Sequence, residues 1–366
     1  MSRPAPRYTE VFDRDISDLF RRAWRQTLAN PRLARFFLST VRRQQRAARR
    51  RLDWRKNGLA VPPVVIVSIT NRCNLKCRGC YAHALRSLDK GELAPDAFKD
   101  MLKEAGELGI SIVMLAGGEP LLRPELLDIT RDFPDILFPV FTNGTMIDDA
   151  WVARFRRQGN LIVIASIEGA EAETDARRGA GIYARLKALA GRVRGKGIFW
   201  GCSLTVTSRN LDTLVGEDFV RRLIDAGCGA FIFVEYVPVQ AGTDGLALTP
   251  DQKATLVKRL EELRGAFPAL FIGFPGDEER YGGCLAAGRG FVHVAASGAV
   301  EACPFAPYSD TSLPGMTLRQ ALGSKLLETI RANHDKLGET KGGCALWENR
   351  EWVRGLAEKA KAEVRS

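Results

Sequence analysis

The sequence predicts an α/β fold: an open, partial (β/α)6 barrel of the TIM type, set between a basic helical extension and a small C-terminal domain. Three observations predict it. Six short runs rich in Val, Ile and Phe recur between residues 64 and 237, as buried parallel strands do. Amphipathic helical stretches separate them, and such alternation gives a parallel sheet with right-handed crossovers. The alternation fades after about residue 240, short of the eight units of a closed barrel.

In chain order, residues 1–60 read as helical. Ile16, Leu19, Phe20, Ala23, Trp24 and Leu28 recur at helical spacing, Asn30-Pro31 interrupts them, and Leu33, Phe36, Phe37 and Val41 form a second stripe. Residues 61–245 carry the barrel. Its strands are expected at Val64–Thr70, Ser111–Leu115, Val140–Thr142, Leu161–Ile167, Gly201–Val206 and Phe231–Val237. Its helices are expected at Pro95–Leu108, Pro124–Phe133, Asp148–Arg157, Tyr183–Lys196 and Leu211–Ala226. Residues 246–350 hold a linker helix opened by Thr249-Pro250-Asp251 and then a Gly- and Cys-containing domain with strand-like pieces such as Gly290–Ala295. A charged helix over 351–366 closes the chain.

Composition narrows the function classes. The chain has 366 residues, 45 % of them hydrophobic, and no apolar run near the roughly 20 residues that span a bilayer. The first residues lack the apolar core of a signal peptide, so the expected location is the cytoplasm. The net charge is +11, and residues 1–58 carry all of it: 16 basic against 5 acidic residues, leaving 38 of each sign elsewhere. Three roles compete for this extension: a helical cap on the barrel, peripheral contact with an anionic membrane through residues 16–56, and docking of an acidic partner. No nucleic-acid-binding module is recognisable, so nucleic acid is the least favoured partner.

Three of the eight cysteines form the central motif. Cys73, Cys77 and Cys80, spaced C-x3-C-x2-C, follow the first strand directly. Zinc sites favour C-x2-C pairs in twos, which a single triplet does not supply. Three thiolates on a four-iron cluster leave one iron open for a ligand. Further along, Gly117-Gly118-Glu119-Pro120 ends the second strand, Thr142-Asn143-Gly144-Thr145 the third, and Ser166-Ile167-Glu168-Gly169 the fourth. Asp175-Ala176-Arg177-Arg178-Gly179 lies just beyond.

With these motifs, the sequence resembles the radical S-adenosylmethionine superfamily over roughly residues 61–350. The resemblance implies a [4Fe–4S] cluster on Cys73, Cys77 and Cys80, with S-adenosylmethionine chelating the open iron. It implies cofactor contacts at Gly117, Gly118, Glu119, Asn143, Ser166 and Arg178, and an electron donor such as a flavodoxin or ferredoxin. Gly79 departs from the pattern, since many members have an aromatic residue just before the third cysteine. Glu168 stands where the usual residue is Asp. Cys284, Gly298 and Cys303 form C-x13-G-x4-C and, with Cys344, resemble the auxiliary-cluster domain of the SPASM and twitch subgroup. That implies a second iron–sulfur cluster whose fourth position is open or filled by another side chain, His293 being one candidate. Cys202 and Cys228 read as small core residues.

The expected function is therefore reductive cleavage of S-adenosylmethionine to a 5′-deoxyadenosyl radical that takes hydrogen from a small-molecule, cofactor or lipid-like substrate. Maturation of a ribosomally made peptide is the alternative. The short extension has no strands with which to build a peptide-recognition module. A non-catalytic iron–sulfur electron-transfer protein is the contrasting reading, and it would need neither the Gly-Gly-Glu-Pro element nor the Ser166/Arg178 pair.

Overall fold

The computed structural model describes residues 31–86, 91–274, 283–337 and 344–365. The first apolar stripe, Ile16 to Leu28, lies outside the described residues. Strands β1 (Val64–Thr70), β2 (Ile112–Gly117), β3 (Phe138–Thr142), β4 (Leu161–Ile167), β5 (Trp200–Val206), β6 (Cys228–Glu235) and β7 (Leu270–Phe274) follow one another, each pairing in parallel with the next. Helices α1 (Pro31–Lys56), α2 (Tyr81–Leu85), α3 (Pro95–Leu108), α4 (Pro124–Ile129), α5 (Asp149–Gln158), α6 (Glu171–Arg178), α7 (Ile182–Val193), α8 (Leu211–Leu214), α9 (Glu217–Asp225) and α10 (Pro250–Ala266) precede or separate them. The expected single helix over Leu211–Ala226 is two, parted at Val215-Gly216, where glycine is a poor helix former.

The sheet extends beyond six strands. After β7, β8 (Phe291–Val294) returns to pair in parallel with β1, and β9 (Ala299–Glu301) and β10 (Thr311–Ser312) add antiparallel at that edge. The order is β10-β9-β8-β1-β2-β3-β4-β5-β6-β7. Among the described residues no ladder joins β7 to β8, so the sheet is open between these two strands. The rings of Phe274 and Phe291 nevertheless meet across the gap at 5.3 Å. Strands of four or five residues inside a Gly- and Cys-containing stretch carry too little periodicity to stand out in the sequence, which hid β7 and the partner of β8. The remaining helices are α11 (Leu318–Leu322), α12 (Lys325–Ala332), α13 (Ala345–Glu348) and α14 (Arg350–Arg365).

The outer face of the sheet is packed against helices: Val65, Val113, Leu115, Val140 and Phe233 are fully buried. Helix α1 docks on the α3–β2 turn. Buried Arg51 donates to the Gly109 carbonyl, and Gln44 accepts from the Ser111 hydroxyl at 2.6 Å. Its apolar stripe packs below the barrel, Phe37 edge-on to Phe199 at 5.2 Å and Phe36 stacked on Phe199 at 5.8 Å. The described part of the basic extension is thus a helical cap. No helix among the described residues is long and apolar enough to cross a membrane.

Candidate active site

The cysteine loop leaves β1 at the carboxyl end of the sheet, and the end of β2 presses directly on it. The Gly118 N–H donates to the Thr70 carbonyl at 2.7 Å, and the Glu119 N–H to the Arg72 carbonyl at 2.9 Å. A Cβ on Gly118 would lie 1.9 Å from the Arg72 oxygen, and one on Gly117 2.4 Å from the Thr70 oxygen. The paired glycines are therefore required by the close approach of two backbones just ahead of Cys73.

Glu119 organises the same region from beneath. Its buried carboxylate accepts from the Leu121 N–H at 3.1 Å, the Thr142 hydroxyl at 2.8 Å and the Asn143 N–H at 2.9 Å. Burial pushes its carboxyl up, against the pull of those three bonds. The Asn143 side chain donates to Asn74 at 2.7 Å, and Asn74 donates to the Thr145 hydroxyl at 2.9 Å. Glu119 and Asn143, expected as cofactor contacts, line the cavity, and they also brace the loop between Cys73 and Cys77, Asn143 through Asn74 and Glu119 through Asn143.

Cys73, Cys77 and Cys80 are half-buried and line one cavity. Burial raises the Cys73 and Cys77 thiols. The Leu75 N–H, 3.5 Å from the Cys73 sulfur, and the Arg178 guanidinium beside Cys77 pull the other way. Arg178 is held by Glu168, which accepts from its Nε at 2.8 Å and its Nη2 at 2.5 Å, leaving Nη1 4.0 Å from the Cys77 sulfur. Glu168 also accepts from Arg177 Nη1 at 2.5 Å. Arg177 exchanges backbone contact with the loop, its carbonyl accepting from the Arg78 N–H at 2.9 Å. Glu168 in place of Asp thus clamps two arginines against the loop. Ser166 is partly exposed to the same cavity.

The departure at Gly79 has a structural counterpart that the sequence reading missed. Gly79 sits at φ +67°, and a Cβ there would meet the Tyr236 hydroxyl at 2.5 Å. Tyr236, just past β6, is buried, lines the cavity, and its hydroxyl has no hydrogen-bond partner among the described residues. The only signal for it in the sequence was an aromatic at the end of the sixth strand.

The second cysteine group is also assembled. Cys284, Cys303 and Cys344 are buried, and Cys303 and Cys344 are within hydrogen-bonding reach. Burial, then Cys344 and Cys284, drive the Cys303 thiol well up. Gly298 turns β8 into β9 at φ +86°, with Pro314 so close that a Cβ would lie 2.6 Å from it. That accounts for a glycine between Cys284 and Cys303. The two cysteine loops touch: Tyr81 packs on Phe305 at 5.0 Å, and burial between them pushes its phenol up to about 12. Arg86 donates to both Glu301 oxygens at 2.8 and 2.9 Å and to the Pro304 carbonyl at 2.8 Å. His293 has both ring nitrogens engaged, by Ser68 at 2.8 Å and Glu301 at 2.7 Å, so it serves this buried network instead of offering a free ligand atom. Cys202 and Cys228 are buried in β5 and β6 with their sulfurs 3.8 Å apart.

The donor set fits an iron–sulfur cluster. Three thiols face one cavity, one takes a backbone N–H and another a guanidinium, the kind of contacts that offset charge on cluster sulfurs. Among the described residues, no three His, Cys, Asp or Glu side chains converge as a single metal ion requires.

Residues 67–214 match the Radical SAM superfamily. An AdoMet-dependent heme synthase of Methanosarcina barkeri is 27 % identical over 329 residues, covering 82 % of this chain and 93 % of that protein. A pre-heme d1 synthase of Dinoroseobacter shibae is 34 % identical over 53 % of this chain, which spans only 48 % of the relative. Among solved structures, Streptococcus suis SuiB is similar in fold. Bound to S-adenosylmethionine it gives a TM-score of 0.62 at 16 % identity, with 78 % of this chain and 70 % of that one covered. Bound to its precursor peptide SuiA the TM-score is 0.60.

Proposed function

Because residues 67–214 place the chain in the radical S-adenosylmethionine superfamily, we propose that it is an enzyme of the SPASM/twitch-like type and that the cavity under Cys73, Cys77 and Cys80 is where it carries out hydrogen abstraction from a small-molecule, cofactor or lipid-like substrate. The observation that carries this reading is the Glu168–Arg178–Cys77 line, which sets a cation beside the cysteine loop and facing the cavity. Reductive cleavage of S-adenosylmethionine at a [4Fe–4S] cluster supplies the 5′-deoxyadenosyl radical in this chemistry.

This chain's residues do the positioning. Cys73, Cys77 and Cys80 would hold the cluster. The free edge of Arg178 suits a carboxylate by charge-assisted hydrogen bonding, and Ser166 offers a hydroxyl on the adjoining wall. Gly117 and Gly118 let the end of β2 press on the backbone ahead of Cys73, while Glu119 and Asn143 brace the loop. Tyr236 fills the space beside Gly79 and lines the cavity, so its ring would offer a stacking face to the cofactor's adenine in place of the aromatic absent at position 79. Cys284, Cys303 and Cys344 would hold a second cluster behind Tyr81 and Phe305. A small electron-transfer protein such as a flavodoxin or ferredoxin would supply the electron.

A peptide substrate is the second reading, supported by the likeness of fold to SuiB, which has been solved with a precursor peptide. The match to a heme synthase over most of its length favours a non-peptide one. The test is anaerobic reconstitution with iron and sulfide, then dithionite and S-adenosylmethionine. 5′-Deoxyadenosine should form, and replacing Cys73, Cys77 and Cys80 by Ala should abolish it. A fully reconstituted protein that forms none would overturn the reading.

A further inference from the structure

The inner face of the barrel is not filled by its own side chains. Along the strands, residues alternate between the packed outer face and the interior. The interior set, Ile66, Met114, Phe141, Val234 and Ile272 among them, is apolar yet only partly buried. A small closed barrel stacks such residues into a solid core. Here they wall a cavity of about 1260 Å³ whose mouth is lined by the cysteines, Ser166 and Arg178.

Polarity within the cavity is layered. The cysteines, Glu119, Arg177, Arg178, Ser166 and Thr205 surround the mouth. Below Ser166 and Ser203 the wall is Ile164, Ile162, Ala230, Leu270 and their neighbours. No ionisable side chain appears until Glu261 and Arg264, which pair with each other at 2.7 Å at the far end. From Ser166 to Ile162 is four strand steps, roughly 13 Å. Phe199, backed by Phe36 and Phe37, lies at the bottom. A polar chain placed there would lose its water with nothing to replace it.

We propose that this lower chamber takes the aliphatic chain of an amphiphilic substrate, whose polar end stays at the mouth. The proposal rests on the functional reading above and names the substrate class for the same site. A hydrocarbon chain is the occupant that removes the exposed Ile, Met and Phe surface from water without stranding a polar group.

The test uses the reconstituted full chain under anaerobic conditions, with hexanoate, octanoate and decanoate as calorimetric probes. Each added methylene should tighten binding about three- to fourfold, the equivalent of about 0.8 kcal/mol. Ile164→Trp and Leu270→Trp, which fill the chamber, should each weaken decanoate binding at least tenfold and leave S-adenosylmethionine binding by equilibrium dialysis unchanged. Met114→Phe is a milder filling for the case where tryptophan unfolds the barrel, and the chain-length series on the unmodified protein needs no variant. Affinity independent of chain length, or filled and folded variants that bind decanoate like the parent, would overturn the proposal. Chain-length-dependent binding without 5′-deoxyadenosine formation would sink the functional reading and leave the chamber standing. 5′-Deoxyadenosine formation without decanoate binding would sink the chamber alone.

Discussion

The phenol of Tyr236 occupies the space that a side chain at position 79 would need: a Cβ on Gly79 would stand 2.5 Å from its hydroxyl. The two positions are coupled by volume. Gly79→Phe should both clash with Tyr236 and strain the backbone, since a left-handed φ costs a non-glycine residue roughly 1–2 kcal/mol. Tyr236→Ala should weaken S-adenosylmethionine binding by the roughly 1–3 kcal/mol that one base–aromatic stack contributes. The double variant, with the ring moved to position 79, should recover much of that loss. Equilibrium dialysis of the four proteins gives the cycle, and purely additive effects would show that the two sites do not share a space.

Glu168 is buried under two arginines, so its removal leaves Arg177 and Arg178 without their common partner. Glu168→Gln should destabilise the fold toward the lower end of the roughly 3–5 kcal/mol seen for broken buried pairs, because both arginines keep some contact with water. It should also loosen Cys77, read as a lower iron yield on reconstitution. Glu168→Asp keeps the charge but shortens the reach. It should therefore fall between the two in thermal denaturation and in iron content.

Gly118 tests the backbone contact at the loop. Gly118→Ala places a methyl 1.9 Å from the Arg72 carbonyl oxygen, and neither partner is a flexible side-chain tip. The loop leading to Cys73 must move. Iron incorporation should fall severalfold while the melting temperature drops only a few degrees, as the strain is confined to one loop. A variant that incorporates iron normally would show that the Gly118–Arg72 contact does not set the position of Cys73.

What the sequence revealed depended on how local the cause was. β1, β4 and α3 could be read to the residue because periodicity and the helix-starting Pro95 are encoded within the element itself. The cysteine spacing and the Gly-Gly-Glu-Pro element were likewise legible. The bracing bonds of Glu119 and Asn143 were not, because they arise from strands meeting across the sheet: Glu119 at the end of β2 accepts from the end of β3. Tyr236 was missed for the same reason, lying 157 positions from the glycine it compensates. The pairing of β8 with β1 is non-local as well, and it makes the Cys284–Cys303 segment continuous with the barrel sheet.

That continuity bears on the second cysteine group. Cys284, Cys303 and Cys344 do not line the cavity, whereas Pro304 and Phe305 beside Cys303 do. Replacing the three by Ala should therefore remove about half of the reconstituted iron, if each site holds a four-iron cluster. It should leave S-adenosylmethionine affinity near that of the parent. Arg86 separates a structural from an electronic linkage between the loops. Arg86→Met leaves Glu301 with only the His293 ring among its described partners and removes the guanidinium from the Pro304 carbonyl, both deep in the protein. Stability should fall by a few kcal/mol, as expected when a buried charge loses its partner. If the contact only holds the two loops together, both clusters should still assemble at low temperature, and their electron paramagnetic resonance signals should keep the parent's shape. A changed signal from the Cys73–Cys80 cluster in the folded variant would mean that Arg86 also sets the field in which that cluster is reduced.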